Sequence, residues 1–267
     1  MAVKTLEFTV KNSKSFSAYL KKFNSISNTV LFEVDGLDES FISKSPNEER
    51  SIVKFGKSSF SESEFTPAKK FTYRIKIGVY NISRLIKIIE QFGTEFQFIL
   101  KYDEIVGDKE EKDFGAISIL LKNDDLKFNA ECTSLNIFKY ISDDLWANTI
   151  SKIDSLVSFD FTKENIEKVN ALCELDKEYK FIEFINKGGS LYAKGKSFEY
   201  LVAPTSNVDA KITFYKDQFY KVDVENCSVQ MGADRMLFTS LDTETATVIS
   251  MVEKDDNYDD KDEDPFI

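Results

Sequence analysis

The sequence predicts an α+β chain of two similar domains, each built from two strand–helix–strands units with the helices on one face of antiparallel sheets. Three observations lead there. A strand, an amphipathic helix and then two or more strands recur four times along the 267 residues. That length is a soft prior for two domains, or one large one. The 42% hydrophobic and 30% charged residues describe a globular chain able to bury a substantial core.

The first unit opens at Leu6 to Val10, where alternation and β-branching predict a strand. Phe16, Tyr19, Leu20 and Phe23 then fall at i, i+3, i+4 and i+7, the stripe of a half-buried helix. At 100° per residue, Lys11, Lys14, Lys21 and Lys22 lie opposite that stripe. A strand follows from Thr29 to Val34, then an Asp35–Gly36 turn, extended chain to Phe60 and a Ser-rich loop from Ser58 to Pro67.

The second unit repeats this plan. Phe71 to Val79 reads as a strand, Asn81 as an N-cap, and Ile82, Leu85, Ile86 and Ile89 as the apolar stripe, with Gly93 as the stop. Arg84, Lys87 and Gln91 occupy the opposite face. Strands from Glu95 to Tyr102 and Gly115 to Leu121 flank a charged loop, Asp103 to Asp113, and Leu126 to Cys132 adds another.

From Thr133 to Ser155 the periodicity lapses, although Phe138, Tyr140, Ile141, Leu145 and Trp146 make the segment too apolar for a free linker. It reads as a connector lying against something. The third unit has a strand from Leu156 to Phe161, a helix from Thr162 burying Ile166, Val169 and Cys173, and strands at Tyr179–Ile185, Ser190–Ala193 and Phe198–Ala203. Lys168 faces away from its core, but Glu164 shares that face. The fourth unit has a strand at Lys211–Tyr215, a poorly patterned helix from Asp217 to Asn226, and strands at Val229–Gly232, Met236–Leu241 and Thr245–Val252. The domains predicted are residues 1–133 and 156–254, joined by a connector over 134–155 and followed by an acidic, disordered tail over 255–267.

Composition excludes several functions. Histidine is absent, which removes the side chain most used for proton transfer near neutral pH. No nucleotide-binding, nucleophile-elbow, zinc or calcium motif is present. The acidic pairs Asp124–Asp125 and Asp143–Asp144 read as solvated surface, so neither an enzyme, a metal nor a cofactor is expected. Cys132, Cys173 and Cys227 are odd in number and widely spaced, which reads as buried reduced thiols. No run approaches the roughly 20 apolar residues of a membrane span, and the N-terminus lacks a signal-peptide pattern. A cytoplasmic protein without membrane contact is expected. Lys outnumbers Arg 31 to 4, a composition that an AT-rich genome produces.

The net charge is −11, yet two helices carry their cations on equivalent faces. If all four helices line one concave surface, they form a positive strip on an acidic body, as suits a protein that embraces a phosphate backbone without reading bases.

The order of elements, twice per domain and two domains per chain, resembles the DNA sliding clamps of the proliferating-cell-nuclear-antigen and tailed-phage type. Ile77-Gly-Val-Tyr-Asn-Ile-Ser-Arg-Leu-Ile-Lys-Ile-Ile resembles that family's second helix with its preceding strand end, and Ala246-Thr-Val-Ile-Ser-Met-Val-Glu resembles its closing strand. The resemblance spans residues 3 to 254. It implies a closed homotrimeric ring with helices inside, which encircles duplex DNA and tethers a DNA polymerase after a clamp loader places it. The DNA-facing positions it implies are Lys11, Lys14, Lys21, Lys22, Arg84 and Lys87, followed by Lys163, Lys168, Lys216 and Lys221. It also implies an apolar partner pocket beside the connector and closing strand, here Phe138, Ile141 and Leu145 with Ile249, Met251 and Val252. Residues 254–267 hold seven acids and two Lys but end in Asp264-Pro-Phe-Ile, so Phe266 and Ile267 resemble the apolar tip of a short peptide ligand. The competing readings are a monomeric or dimeric processivity factor held by charge, and a virion structural or assembly protein; the latter does not predict basic helix faces.

Overall fold

The computed structural model describes residues 3–49, 51–105, 113–135 and 141–252. They form two compact units, one of the described residues up to Asn148 with Thr243–Thr247, the other of Thr149–Asp242 with the residues from Val248 on.

In the first unit, β1 (Lys4–Val10) leads through a turn into α1 (Ser13–Asn24). Asn12 caps this helix by accepting the Ser15 N–H at 3.0 Å, and Phe16, Tyr19, Leu20 and Phe23 are buried as the periodicity requires. β2 (Val30–Asp35), β3 (Ser40–Pro46) and β4 (Ile52–Ser59) follow as antiparallel neighbours. The carboxylate of Asp35 accepts the N–H groups of Leu37 and Asp38 at 2.9 and 3.2 Å, which closes the expected turn. β5 (Phe65–Pro67) pairs with β1 inside the stretch expected as a Ser-rich loop. Three residues are too few to show an alternation, and Phe65 is held there by packing, its ring 4.7 Å from that of Phe16.

β6 (Arg74–Val79) begins later than expected, and α2 (Ile82–Gln91) is capped by Asn81, which accepts the Arg84 N–H at 2.8 Å. Gly93, at φ 71°, ends that helical segment in a conformation a side chain would disfavour. β7 (Phe96–Ile105), β8 (Asp113–Lys122) and β9 (Lys127–Glu131) complete the unit. Its strand order is β4, β3, β2, β6, β8, β7, β1, β5, with β9 on β8. α1 and α2 lie side by side on one face. The Ser13 hydroxyl donates to the Gly93 carbonyl at one end, and the Ser83 hydroxyl to Asn24 Oδ1 at 2.6 Å at the other. The core beneath them is rich in phenylalanine, with Phe8, Phe41, Phe65 and Phe98 in edge or tilted contacts. Each such contact adds roughly 0.5–1.5 kcal/mol beyond area burial.

α3 (Asp143–Ser151) lies inside the expected connector. In the second unit, β10 (Val157–Phe161) is followed by α4 (Lys163–Leu175), whose N-cap Thr162 accepts the Asn165 N–H at 3.2 Å and whose buried residues are Ile166, Val169 and Cys173. β11 (Phe181–Lys187) and β12 (Ser190–Lys194) turn through Gly188 and Gly189, both at positive φ, the geometry of a two-residue hairpin. β13 (Glu199–Pro204) and β14 (Ala210–Tyr215) join them in the order β13, β12, β11, β14. The expected helix from Asp217 to Asn226 is a single turn, α5 (Lys216–Phe219). Phe219 and Val222 are buried, but no second apolar turn follows to extend the helix. β15 (Cys227–Met231) pairs with β10 and with β16 (Arg235–Ser240). β17 (Thr245–Ser250) is divided, Thr245–Thr247 clustering with the first unit and Val248 onward with the second.

Candidate nucleic-acid and partner surfaces

With their apolar stripes buried, α1 and α2 of the first unit turn their cations outward. Lys14, Lys21, Arg84 and Lys87 are exposed on the helices, and Lys11, expected on α1, is exposed just before its cap Asn12; α1 contains no acid, and α2 contains Glu90 alone. Lys21 Nζ stands 2.7 Å from Glu90 Oε1, tying the two helices together at an exposed site where such a pair contributes little stability. Arg84 also lies over the Phe128 ring at 5.6 Å. Lys22 differs from the expectation. It is half-buried, and its ammonium donates to Thr243 Oγ1 at 2.7 Å, so it secures α1 within the unit.

The second unit does not repeat this charge pattern. On α4, Lys163 and Lys168 are exposed, but so are Glu164, Glu167 and Glu174, and Lys163 stands 3.9 Å from Glu167. Lys216, expected on a solvent face, is only 5% exposed. Its ammonium donates to the carbonyls of Cys173 and Asp176 at 3.0 and 2.6 Å, neutralising the C-terminal end of α4. The physical reason is that a helix end leaves carbonyls without partners, and a nearby cation both hydrogen-bonds them and opposes the helix dipole. Lys221 is half-buried beyond α5.

The apolar partner positions divide. Ile141 is buried and Ile249 is 0% exposed, so both belong to the core and present nothing to a ligand. Leu145 is 48% and Met251 38% exposed, and Val252 is half-buried. Phe138, Phe266 and Ile267 lie outside the described residues. Within the first unit, Trp146 of α3 stacks on Phe55 with ring centroids 5.5 Å apart.

A charged cluster accompanies that stacking. Arg74 reaches Asp143 through Nη1 at 2.7 Å and Asp35 through Nε at 2.6 Å, and Lys44 is also ion-paired to Asp143. Asp143 is therefore not the purely solvated acid expected from its neighbour Asp144. Hydrogen bonds and charge from Lys44 and Arg74 overcome partial burial and hold its carboxyl below the usual range. Burial raises the Asp35 carboxyl, but backbone donors and Arg74 outweigh it and the net shift is downward. No sequence signal marks this cluster, since its members come from separate strands and a helix.

Two strand edges were also invisible in the sequence. In the first unit β9 pairs, among the described residues, only with β8, and beside it a cavity of about 360 Å³ is lined by Tyr80, Arg84, Ile88, Phe128 and Cys132. In the second unit β13 is likewise an end strand, pairing with β12. Burial pushes the Cys132 and Cys173 thiols up, to about 12 and 11, so neither is a thiolate at neutral pH. Among the described residues no group of three or more His, Cys, Asp or Glu is placed to hold a metal, and no helix is long and apolar enough to cross a membrane.

No protein-family model matches the chain, and no curated protein matches its sequence. Solved structures do. Proliferating cellular nuclear antigen from Entamoeba histolytica aligns over 93% of this chain and 99% of its own, with a TM-score of 0.63 at 12% identity. The A. fulgidus protein solved with the C-terminal region of FEN-1 aligns over 93% and 99%, with a TM-score of 0.62 at 11% identity. A putative DNA polymerase III beta subunit from Eubacterium rectale aligns over 93% of this chain and 66% of its own, with a TM-score of 0.64 at 12% identity. The chain has the sliding-clamp fold.

Proposed function

We propose that this protein is a sliding clamp that closes as a homotrimeric ring around duplex DNA, without sequence preference and without catalysis, and tethers a replicative DNA polymerase. The observation that carries the reading is the cationic layer on α1 and α2 in a chain of net charge −11. Cations gathered on one face of an acidic protein suit a phosphate backbone, which is held by charge and can slide. Lys11, Lys14, Lys21, Arg84 and Lys87 are the DNA-facing residues proposed, with Lys163 and Lys168 as secondary ones.

Two features support assembly. β9 and β13 each have an edge with no hydrogen-bonded strand among the described residues, and an unpaired edge invites another strand. Pairing of these two unlike edges between successive copies leaves neither of them open only if the assembly closes. Partner recruitment is assigned to Leu145, Met251 and Val252, with the Phe266–Ile267 tip as a ligand for a partner or for the clamp itself. The solved relative holding a FEN-1 segment supports a peptide-binding role. A clamp loader places the ring, which is of the tailed-phage type and acts in the host cytoplasm.

The deciding experiment measures retention on circular and linearised DNA after loading, with mass by light scattering. A ring has three times the 30.6 kDa chain mass, stays on circles and slides off free ends. Equal loss from both DNAs overturns the reading.

A further inference from the structure

We propose that Asn165 is a positioning residue that fixes the register at which a strand from a second copy of this chain adds to β13. The inference rests on the ring reading above and names a device that would make the ring's contact unique.

The β13 ladder is irregular at one point. Ala203 faces Leu191 and Leu201 faces Tyr192, so Val202 is an extra residue without an opposite number on β12. Such a bulge bends the strand and changes which side chains share a face. Here it is held from the helix layer. Asn165, in the first turn of α4, donates from Nδ2 to the Val202 carbonyl at 3.0 Å, while its Oδ1 accepts the Tyr200 hydroxyl at 2.8 Å. Its backbone N–H is already committed to Thr162 Oγ1. One amide side chain thus grips the bulge residue and the residue two before it.

The Val202 carbonyl is turned toward α4, and Pro204 has no N–H to offer. A regular edge therefore remains over Glu199–Leu201, where Leu201 is 53% exposed. Sliding the bulge by one residue would exchange the faces of Leu201 and Val202 and present a different edge. With the Asn165 amide in place the incoming strand meets one edge; without it the edge becomes degenerate.

The test compares wild type with Asn165→Ala, Asn165→Asp and Tyr200→Phe by concentration-dependent light scattering and residue-resolved amide hydrogen exchange. Wild type should show concentration-dependent protection confined to Glu199–Leu201 on this edge. Asn165→Ala should raise the subunit dissociation constant about tenfold or more, the equivalent of a lost buried hydrogen bond or two, and spread the protection beyond Leu201. Asn165→Asp keeps the acceptor for Tyr200 but loses the donor to Val202, and should resemble Asn165→Ala. Tyr200→Phe keeps the grip on Val202; it should fold and shift the constant about threefold, consistent with a fraction of one hydrogen bond, and it carries the test if the Asn165 variants unfold. Variants that melt earlier yet keep the wild-type constant and protection pattern overturn the assignment while leaving the ring intact. A wild type that is monomeric at every concentration overturns the ring reading and this inference together.

Discussion

The guanidinium of Arg74, at the start of β6, donates to Asp143 at the first turn of α3 over 2.7 Å. This joins β6 to α3 within the first unit, across the stretch the sequence suggests as a connector. The same guanidinium holds the buried Asp35, so one side chain serves the sheet and the connector at once.

Removing either partner should therefore have unequal effects. Asp143 is half-exposed, and the buried Lys44 that it pairs with keeps Glu33 at 4.0 Å, so Asp143→Asn should cost about 1 kcal/mol. Arg74→Met strips the main cation from the buried Asp35, and should cost about 3 kcal/mol. Urea unfolding of each variant measures this. Equal costs would mean that the connector pairing, not the buried carboxylate, dominates the cluster.

The cluster also predicts an acid limit. Asp35 and Asp143 are both held below the ordinary carboxylate range by their hydrogen bonds and cations, against the upward pull of burial. A carboxyl depressed on folding stabilises above its unfolded pKa, and that contribution is lost as pH falls through the folded value. Stability from these two groups should be flat from neutral pH to about pH 5 and decline as pH falls through and below the ordinary carboxylate range. Unfolding midpoints across that range should show a shallower decline in Asp143→Asn.

Gly56 is required by close approach. A Cβ there would stand 2.6 Å from Phe23 Cζ, and the Gly56 carbonyl accepts the Tyr19 hydroxyl at 3.2 Å. Gly56→Ala should destabilise the first unit by about 1–3 kcal/mol through overpacking. Thermal unfolding checks this, and Phe23→Leu in the same chain should recover part of the loss by vacating space.

Where local chemistry and tertiary packing agree, the sequence is readable. Asn12 and Asn81 cap the helices whose apolar stripes they precede, and the Gly188–Gly189 turn falls where two positive φ values are needed. Reading fails where one residue must serve a distant element. Arg74 looks like any strand cation until Asp143, 69 residues on, is brought beside it. Lys216 looks like any surface lysine because nothing near it in sequence shows that α4 ends there. Ile249 and Met251 sit two apart in one alternating run, yet one is core and the other open, because the strand ends at Ser250 and the face changes beyond it. The bulge at Val202 leaves no trace at all, since it is set by an asparagine on a helix.

Lys216 and the α1–α2 cations contrast a lysine held inside the fold with the lysines proposed to face DNA. Neutralising Lys14, Lys21 and Lys87 together should leave thermal stability nearly unchanged, as these side chains are exposed. It should also weaken DNA retention uniformly across sequences and lower the salt slope by about 0.9 for each phosphate no longer neutralised. Lys216→Met should do the reverse. Two carbonyls at the end of α4 lose their donor, costing about 1–3 kcal/mol, while the DNA affinity of the folded ring and its salt slope stay as they were. Paired measurements of melting and salt-dependent retention on one set of variants separate the two roles. A drop in retention for folded Lys216→Met would return that residue to the DNA face, and an unchanged salt slope in the triple variant would remove α1 and α2 from it.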